Sequence, residues 1–347
     1  MKLTGEIEGF FVKRRANPKL IWTAADFHVS FKGKPKSETY MSKIVFIIFL
    51  FTTINVFADE MVITQGRAIT DIENLYECGI RYRKSGIGHI IDQSENRWVV
   101  PAPVAFTKAR KATDLYNQCT HITPTSIDDV NIDSVPVVEI DHDGEVITGF
   151  LFADNYFELY VNGHLVGVDS VPFTQFNSSI VRFRVKRPII YAVRLVDWEE
   201  NLGLGSENNR GNKYHAGDGG FVASFSDGTI TDSSWKAQTY YIAPIDSPSN
   251  VRIVGNIRDT SQVQVNGLTC KEICFAAHWP VPKNWFKKDF DDNSWPSATV
   301  YTNEIIGVNN KPAYMNFSEL FIGKKAKFIW SSNVVLDNHV IVRKTVK

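Results

Sequence analysis

The sequence has no surplus of charge of either sign. Lys plus Arg and Asp plus Glu are 38 each in 347 residues, so the formal net charge at pH 7 is zero. The electrostatic footprint of a nucleic-acid binder is missing, and no nucleic-acid partner is expected. Catalytic signatures are missing too. There is no Gly-x-Ser-x-Gly elbow, no phosphate-binding Gly-rich loop with Lys and no His-Glu-x-x-His, which leaves serine-hydrolase, nucleotide-dependent and zinc-protease readings without support. The one strongly apolar run, residues 44–56, is shorter than the ~20 residues a membrane span needs. Cysteine is scarce, at four residues. What is plentiful is apolar and aromatic side chain, 44% and 12% of the chain, enough for a large core and suited to β-structure.

The apolar run has a different reading from a span. Met41-Ser42-Lys43 opens a short positive region, residues 44–51 are almost wholly apolar, and Val56-Phe57-Ala58 ends in the small residue that signal peptidase favours. Residues 41–58 are therefore expected to be a signal peptide, with residues 1–40 an extension before the true start. The mature protein is then secreted or periplasmic, with no membrane partner after cleavage. Four cysteines fit that compartment, and the simplest of their three connectivities pairs Cys78 with Cys119 and Cys270 with Cys274.

Residues 59–135 read as a small, partly helical cap. Residues 72–82 and 106–119 have helix-like spacing, the latter with Phe106, Ala109, Ala112 and Tyr116 along one face. A Cys78–Cys119 bridge would staple this region, and the acidic run 126–134 is the expected linker to the rest. From 136 to 347 β signals dominate. Residues 137–140, 146–152, 157–161, 180–185, 189–196 and 221–225 are rich in β-branched and aromatic residues and are punctuated by Gly, Asp and Asn. Short strands at close spacing predict a mainly β fold, one sandwich or two that share strands.

The clearest local signal is the hairpin at 156–167. Phe157, Leu159 and Val161 alternate with Glu158, Tyr160 and Asn162, and Asn162-Gly163 supplies the pair that a two-residue turn prefers. The preceding Asp154-Asn155 is expected to cap its entrance. Asp232-Ser233-Ser234-Trp235 and Asp291-Asp292-Asn293-Ser294-Trp295 add two side-chain-capped turns that end in a large ring. With the pair 326–330 and 338–344, these segments resemble galactose-binding-like β-sandwich domains, as appended to bacterial glycoside hydrolases such as α-rhamnosidases. The resemblance implies a jelly-roll sandwich over roughly 137–347 that binds an extracellular carbohydrate or other small ligand without catalysis. The motif order departs from the family's, because the hairpin precedes the second Asp-x-Ser-Trp.

Two constellations are candidates for chemistry. The segment Cys270-Lys271-Glu272-Ile273-Cys274-Phe275-Ala276-Ala277-His278 resembles the binuclear copper loop of cytochrome oxidase subunit II. On that resemblance Cys270 and Cys274 are bridging thiolates and His278 an imidazole ligand, soft donors that suit copper. The family's Met is Val281 here, and its upstream His has no counterpart at the usual distance. A short-range Cys270–Cys274 disulfide is the competing reading, and an exported copper protein is the alternative function if the thiols are free. The second constellation is the long polar insertion 197–220. Asp197, Glu199, Glu200, Glu207 and Asp218 offer the hard oxygens that calcium takes, and Trp198, Tyr214 and His215 are expected to form a sugar-facing wall. Loops of this length inside a domain are often functional, so it is expected to form the binding rim. Asp197 with Glu199 or Glu200 can also be written as a glycosidase acid/base pair, which depends on a carboxyl separation that sequence does not give.

Overall fold

A computed structural model describes residues 60–79, 82–200, 216–264 and 274–347. All of them lie in one compact unit, Val56–Lys347. The expected extension 1–40 and signal peptide 41–58 fall outside the described residues. Among the described residues no helix is long and apolar enough to cross a membrane.

Two seven-stranded sheets dominate. The first runs, edge to edge, Val62–Gln65, Phe275–His278, Lys236–Ile245, Asp337–Val346, Ile189–Val196, Tyr156–Val161 and His164–Val168. The second runs Thr299–Tyr301, Phe328–Trp330, Gly220–Phe225, Glu145–Asp154, Ser178–Val185 and Thr113–Tyr116, with Val137–Glu139 parallel to Ser178–Val185. Their facing side chains make one core in which Leu151, Phe157, Phe183, Val193, Phe221, Trp235, Trp330 and Val340 are buried together. The chain is thus mainly β and sandwich-like, with two four-residue helices, Pro312–Met315 and Ser318–Phe321, among the described residues.

The expected strands are present, several of them a residue or two longer. The hairpin turn is also as expected: Asn162 and Gly163 take φ of 49° and 87°, and Val161 pairs with His164. Both values lie in the left-handed region that Asn and Gly enter at low cost. Both tryptophan turns are formed. Trp235 N–H donates to the Asp232 carbonyl at 3.2 Å and Trp295 N–H to that of Asp292 at 3.0 Å, and both rings are buried. The two turns are stitched together, since Ala237 N–H donates to the Pro296 carbonyl and Ala298 N–H to that of Trp235.

Among the described residues of 60–135 there is no α-helix, only the short 3-10 helices Ile127–Asp129 and Ile132–Ser134. Residues 69–72 form a strand, Ile69–Ile72, and in 106–119 a turn leads into the strand Thr113–Tyr116. Helical spacing at Phe106, Ala109, Ala112 and Tyr116 lost to tertiary pairing, because Ser178–Val185 offers an edge and Thr113-Asp114 has little helix propensity to resist it. The region 59–135 is also not set apart from the sandwich: Val62–Gln65 extends the first sheet and Thr113–Tyr116 the second. A small third sheet, Ile69–Ile72, Ile87–Ile91 and Arg97–Val100, packs Ile90 and Val100 against Tyr241, Ala243 and Ala276 of the first. The Cys78–Cys119 disulfide is formed, with its Cα atoms 5.1 Å apart. It is a bond characteristic of oxidising compartments.

A second core covers the outer side of the first sheet, where Trp279, Trp285 and Trp295 pack on Tyr240, Ile242 and Ile341. This explains why all eight residues of Ile189–Val196 are buried. It also explains why Glu158, polar in the alternation of the hairpin, has no exposure at all.

Candidate functional site

The insertion 197–220 leaves the first sheet after Val196 and enters the second at Gly220. Its stems are fixed to the sandwich: Asp197 N–H donates to the Asn338 carbonyl at 3.0 Å, and Gly219 N–H to that of Val334 at 2.8 Å. Trp198 N–H donates to Asn155 Oδ1, and Asn155 Nδ2 donates to Asp154 Oδ1 at 2.7 Å. The Asp154-Asn155 pair therefore holds the loop stem as well as the hairpin entrance. Across the stems, Gly217 N–H donates to Glu199 Oε1 at 2.5 Å. A Cβ at Gly217 would stand 2.9 Å from that oxygen, so a side chain here would push the carboxylate away.

Those stems border an open cavity of about 610 Å³. Glu199 and Glu200 line it from the stem, and Arg67, Thr70, Glu73, Tyr82, Arg83 and Lys84 line it from the segment 67–84. Glu199 is 4% exposed. Burial pushes the Tyr241 phenol well above its ordinary value, and the Glu199 carboxylate adds to the rise. Arg83 Nε lies 3.9 Å from Glu200 Oε1, and Lys84 Nζ donates to Glu73 Oε2 at 3.2 Å. The Arg83 backbone N–H donates to Thr174 Oγ1 at 2.9 Å while its guanidinium sits 5.7 Å from the Phe173 ring centre. Three cations and three carboxylates thus line one open cleft, together with a phenol and a threonine hydroxyl.

The structure brings Glu199 and Glu200 together in this cleft but takes Trp198 out of it. Trp198 is fully buried, its ring edge-on to Tyr156 at 6.0 Å in a cluster with Phe106, Phe173 and Val196. The expectation of a sugar-facing Trp198 is corrected: the residue is core, its backbone N–H held by Asn155 and its ring packed on Tyr156. Asp218 is described and half-buried, whereas Glu207, Tyr214 and His215 lie outside the described residues. The cationic wall was missed in the sequence. Its signal was the short run Arg81-Tyr82-Arg83-Lys84 just after Cys78, a basic and aromatic cluster in a turn region.

The copper loop is described only from Cys274 onward. Cys270 and Glu272 lie outside the described residues, and Cys274 is disulfide-bonded. A disulfide sulfur is not a thiolate, so copper at this position requires reduction first. His278 is buried between the rings of Trp98 and Tyr241, at 5.1 and 5.0 Å, and its Nε2 lies 2.7 Å from Thr64 Oγ1. Burial pushes the imidazole down to about 3 against the pull of Asp92. Among the described residues no three His, Cys, Asp or Glu side chains are grouped so as to hold a metal ion, calcium or copper. Asn177 and Asn316 each begin an Asn-x-Ser sequence of the kind that accepts glycans; Asn177 is buried with its Nδ2 donating to Asp169 Oδ1 at 2.6 Å, and the half-buried Asn316 donates from Nδ2 to the Pro124 carbonyl at 2.9 Å.

Compared with protein-family models, with curated proteins and with solved structures, the chain matches none.

Proposed function

We propose that this is a secreted or periplasmic, non-catalytic binding protein built on a galactose-binding-like jelly roll, and that it takes a neutral, hydroxyl-rich ligand, a carbohydrate, in the 610 Å³ cavity. The observation that carries the reading is the lining: Glu199 and Glu200 together with Arg67, Arg83, Lys84 and the Tyr82 phenol around one cavity. Carboxylates accept from sugar hydroxyls and guanidinium groups donate to them, so vicinal diols satisfy both. The balance of charge favours a neutral ligand, since a net anion or cation would meet as many repelling groups as attracting ones. The signal-like segment 41–58 and the Cys78–Cys119 bridge support export.

A glycan array probed with the mature protein, beside Arg83→Ala and Glu200→Gln, tests this. Binding to neutral, galactose-type glycans is expected, weakened at least ~10-fold in each variant at unchanged melting temperature, the effect of losing one charged hydrogen bond. An array blank across neutral and acidic sugars, or variants that bind like the parent, would overturn it.

A further inference from the structure

Of the cavity's cations, Arg83 and Lys84 belong, with Tyr82, to the connection between Ile69–Ile72 and Ile87–Ile91, which is closed at its base where Ile72 pairs with Ile87. Just inside, Asn74 Oδ1 accepts from Ser85 N–H at 2.9 Å and from Ser85 Oγ at 3.0 Å, and Leu75 N–H donates to the Ser85 carbonyl. Beyond that clasp the described residues form no strand or helix, yet Tyr82, Arg83 and Lys84 here face the cleft. The covalent anchor of this part is Cys78, bonded across a separation of 41 residues to Cys119. Cys119 follows the edge strand Thr113–Tyr116, with its N–H on Asn117 Oδ1 at 2.9 Å. The bridge therefore joins two segments outside the named strands, one of them the connection that carries Tyr82, Arg83 and Lys84 to the cavity. Its two ends differ in access: Cys78 is 1% exposed, Cys119 half-buried.

We propose that the Cys78–Cys119 disulfide is a redox latch on the cavity: closed, it holds the wall that carries Tyr82, Arg83 and Lys84 beside Glu199 and Glu200, and reduced, it releases that wall while the sandwich stays folded. The proposal rests on the cavity being the binding site. The reductant is a dithiol. Its thiolate attacks the accessible Cys119 sulfur, the Cys78 thiolate leaves and takes a proton, and the second thiol of the reductant resolves the mixed disulfide. The two electrons and two protons that convert the bridge to two thiols come from the dithiol, which ends as its own disulfide.

Amide hydrogen exchange on the full chain tests this. The double variant Cys78→Ser/Cys119→Ser is the right comparison, because a reductant would also open the bridge at Cys274. Exchange in residues 74–79 and 82–87 is expected to rise at least ~10-fold while the Ile189–Val196 strand keeps its protection, as local opening requires. Unchanged exchange in the wall would overturn the proposal. So would loss of protection throughout, or failure to fold, since the bridge would then be a staple of the whole sandwich. Exchange is read without sugar and decides the latch by itself. Retention of the oxidised parent on galactosyl-agarose decides the binding reading separately, and retention lost in the double variant joins the two.

Discussion

Glu158 and Arg194 stand directly opposite each other on neighbouring strands of the first sheet, and their side chains meet at 3.0 Å with 0% and 9% exposure. The carboxylate also accepts from the Tyr156 hydroxyl at 3.3 Å, the Tyr160 hydroxyl at 3.4 Å and Ala105 N–H. Arg194 also donates to the Pro103 carbonyl at 2.6 Å and lies 5.4 Å from the Trp285 ring centre. One ion pair thus ties the 103–105 segment and the tryptophan cover to the same sheet face. Removing one partner leaves a buried charge unmatched, whereas removing both leaves only neutral groups, the Ala105 N–H, the Pro103 carbonyl and two tyrosine hydroxyls, without these partners. Arg194→Met should therefore cost roughly 3–5 kcal/mol, and the double variant Glu158→Met/Arg194→Met should recover much of that. Urea unfolding of the parent, Arg194→Met, Glu158→Met and the double variant reads the difference. Additive losses would mean that the pair is not coupled.

Trp198 yields a prediction opposite to the one its sequence position suggests. As a solvent-facing residue its loss would abolish binding and spare the fold. As a fully buried ring against Tyr156 its loss opens a cavity. Trp198→Ala should cost roughly 3–5 kcal/mol of stability. A wild-type denaturant midpoint in that variant would put the ring back on the surface.

The strands legible in the sequence were those with unbroken β-branched or aromatic runs, such as Ile189–Val196 and Glu145–Asp154, and the Asn162-Gly163 turn was legible because its backbone needs those residues. Lys236–Ile245, central to the first sheet, was not. It carries Lys, Gln, Thr and Pro244, and it is a strand because two neighbours pair with it, which only tertiary structure reveals. At the candidate site, Glu199 and Glu200 were legible from the length and polarity of the insertion. Arg67, Arg83 and Lys84 were not, because they come from a segment more than a hundred residues away that carries no motif. The backbone N–H of Trp198 is held by Asn155, 43 residues earlier.

The two Asp-x-Ser-Trp turns sit in different cores, Trp235 between the sheets and Trp295 under the outer cover. Trp235→Ala and Trp295→Ala should each cost roughly 3–5 kcal/mol, with Trp295, at 6% exposure against 0%, nearer the lower end. Thermal unfolding monitored by near-ultraviolet circular dichroism checks both. An unshifted midpoint in either variant would show that the ring does not support its core.

The dependence of stability on pH should have two opposed limbs. Burial raises the Asp169 carboxyl to about 8, although Val171 N–H and Asn177 Nδ2 donate to it, and Asp114 adds to the rise. Asp337 is raised to about 7 by burial in the same way, against hydrogen bonds from Ser331 and Thr239. Between the unfolded value of 3.8 and these folded values the native state holds protons that the unfolded chain has released, so stability falls as pH rises from about 4 to about 8. His278 acts in the other direction. Its folded value of about 3 lies below the unfolded 6.5, so the unfolded chain takes up a proton that the native state refuses, and stability falls as pH drops through that interval. His339, also pushed well down by burial and by Arg194 and Arg258, steepens this acid limb. Asp169→Asn keeps an acceptor for Val171 and Asn177 but cannot titrate. Urea unfolding at intervals from pH 4 to 8.5 should show the variant gaining on the parent as pH rises, by up to about 1.4 kcal/mol per pH unit, the slope of one proton. Parallel curves for the two proteins would mean that Asp169 is ionised in the folded state across the whole range.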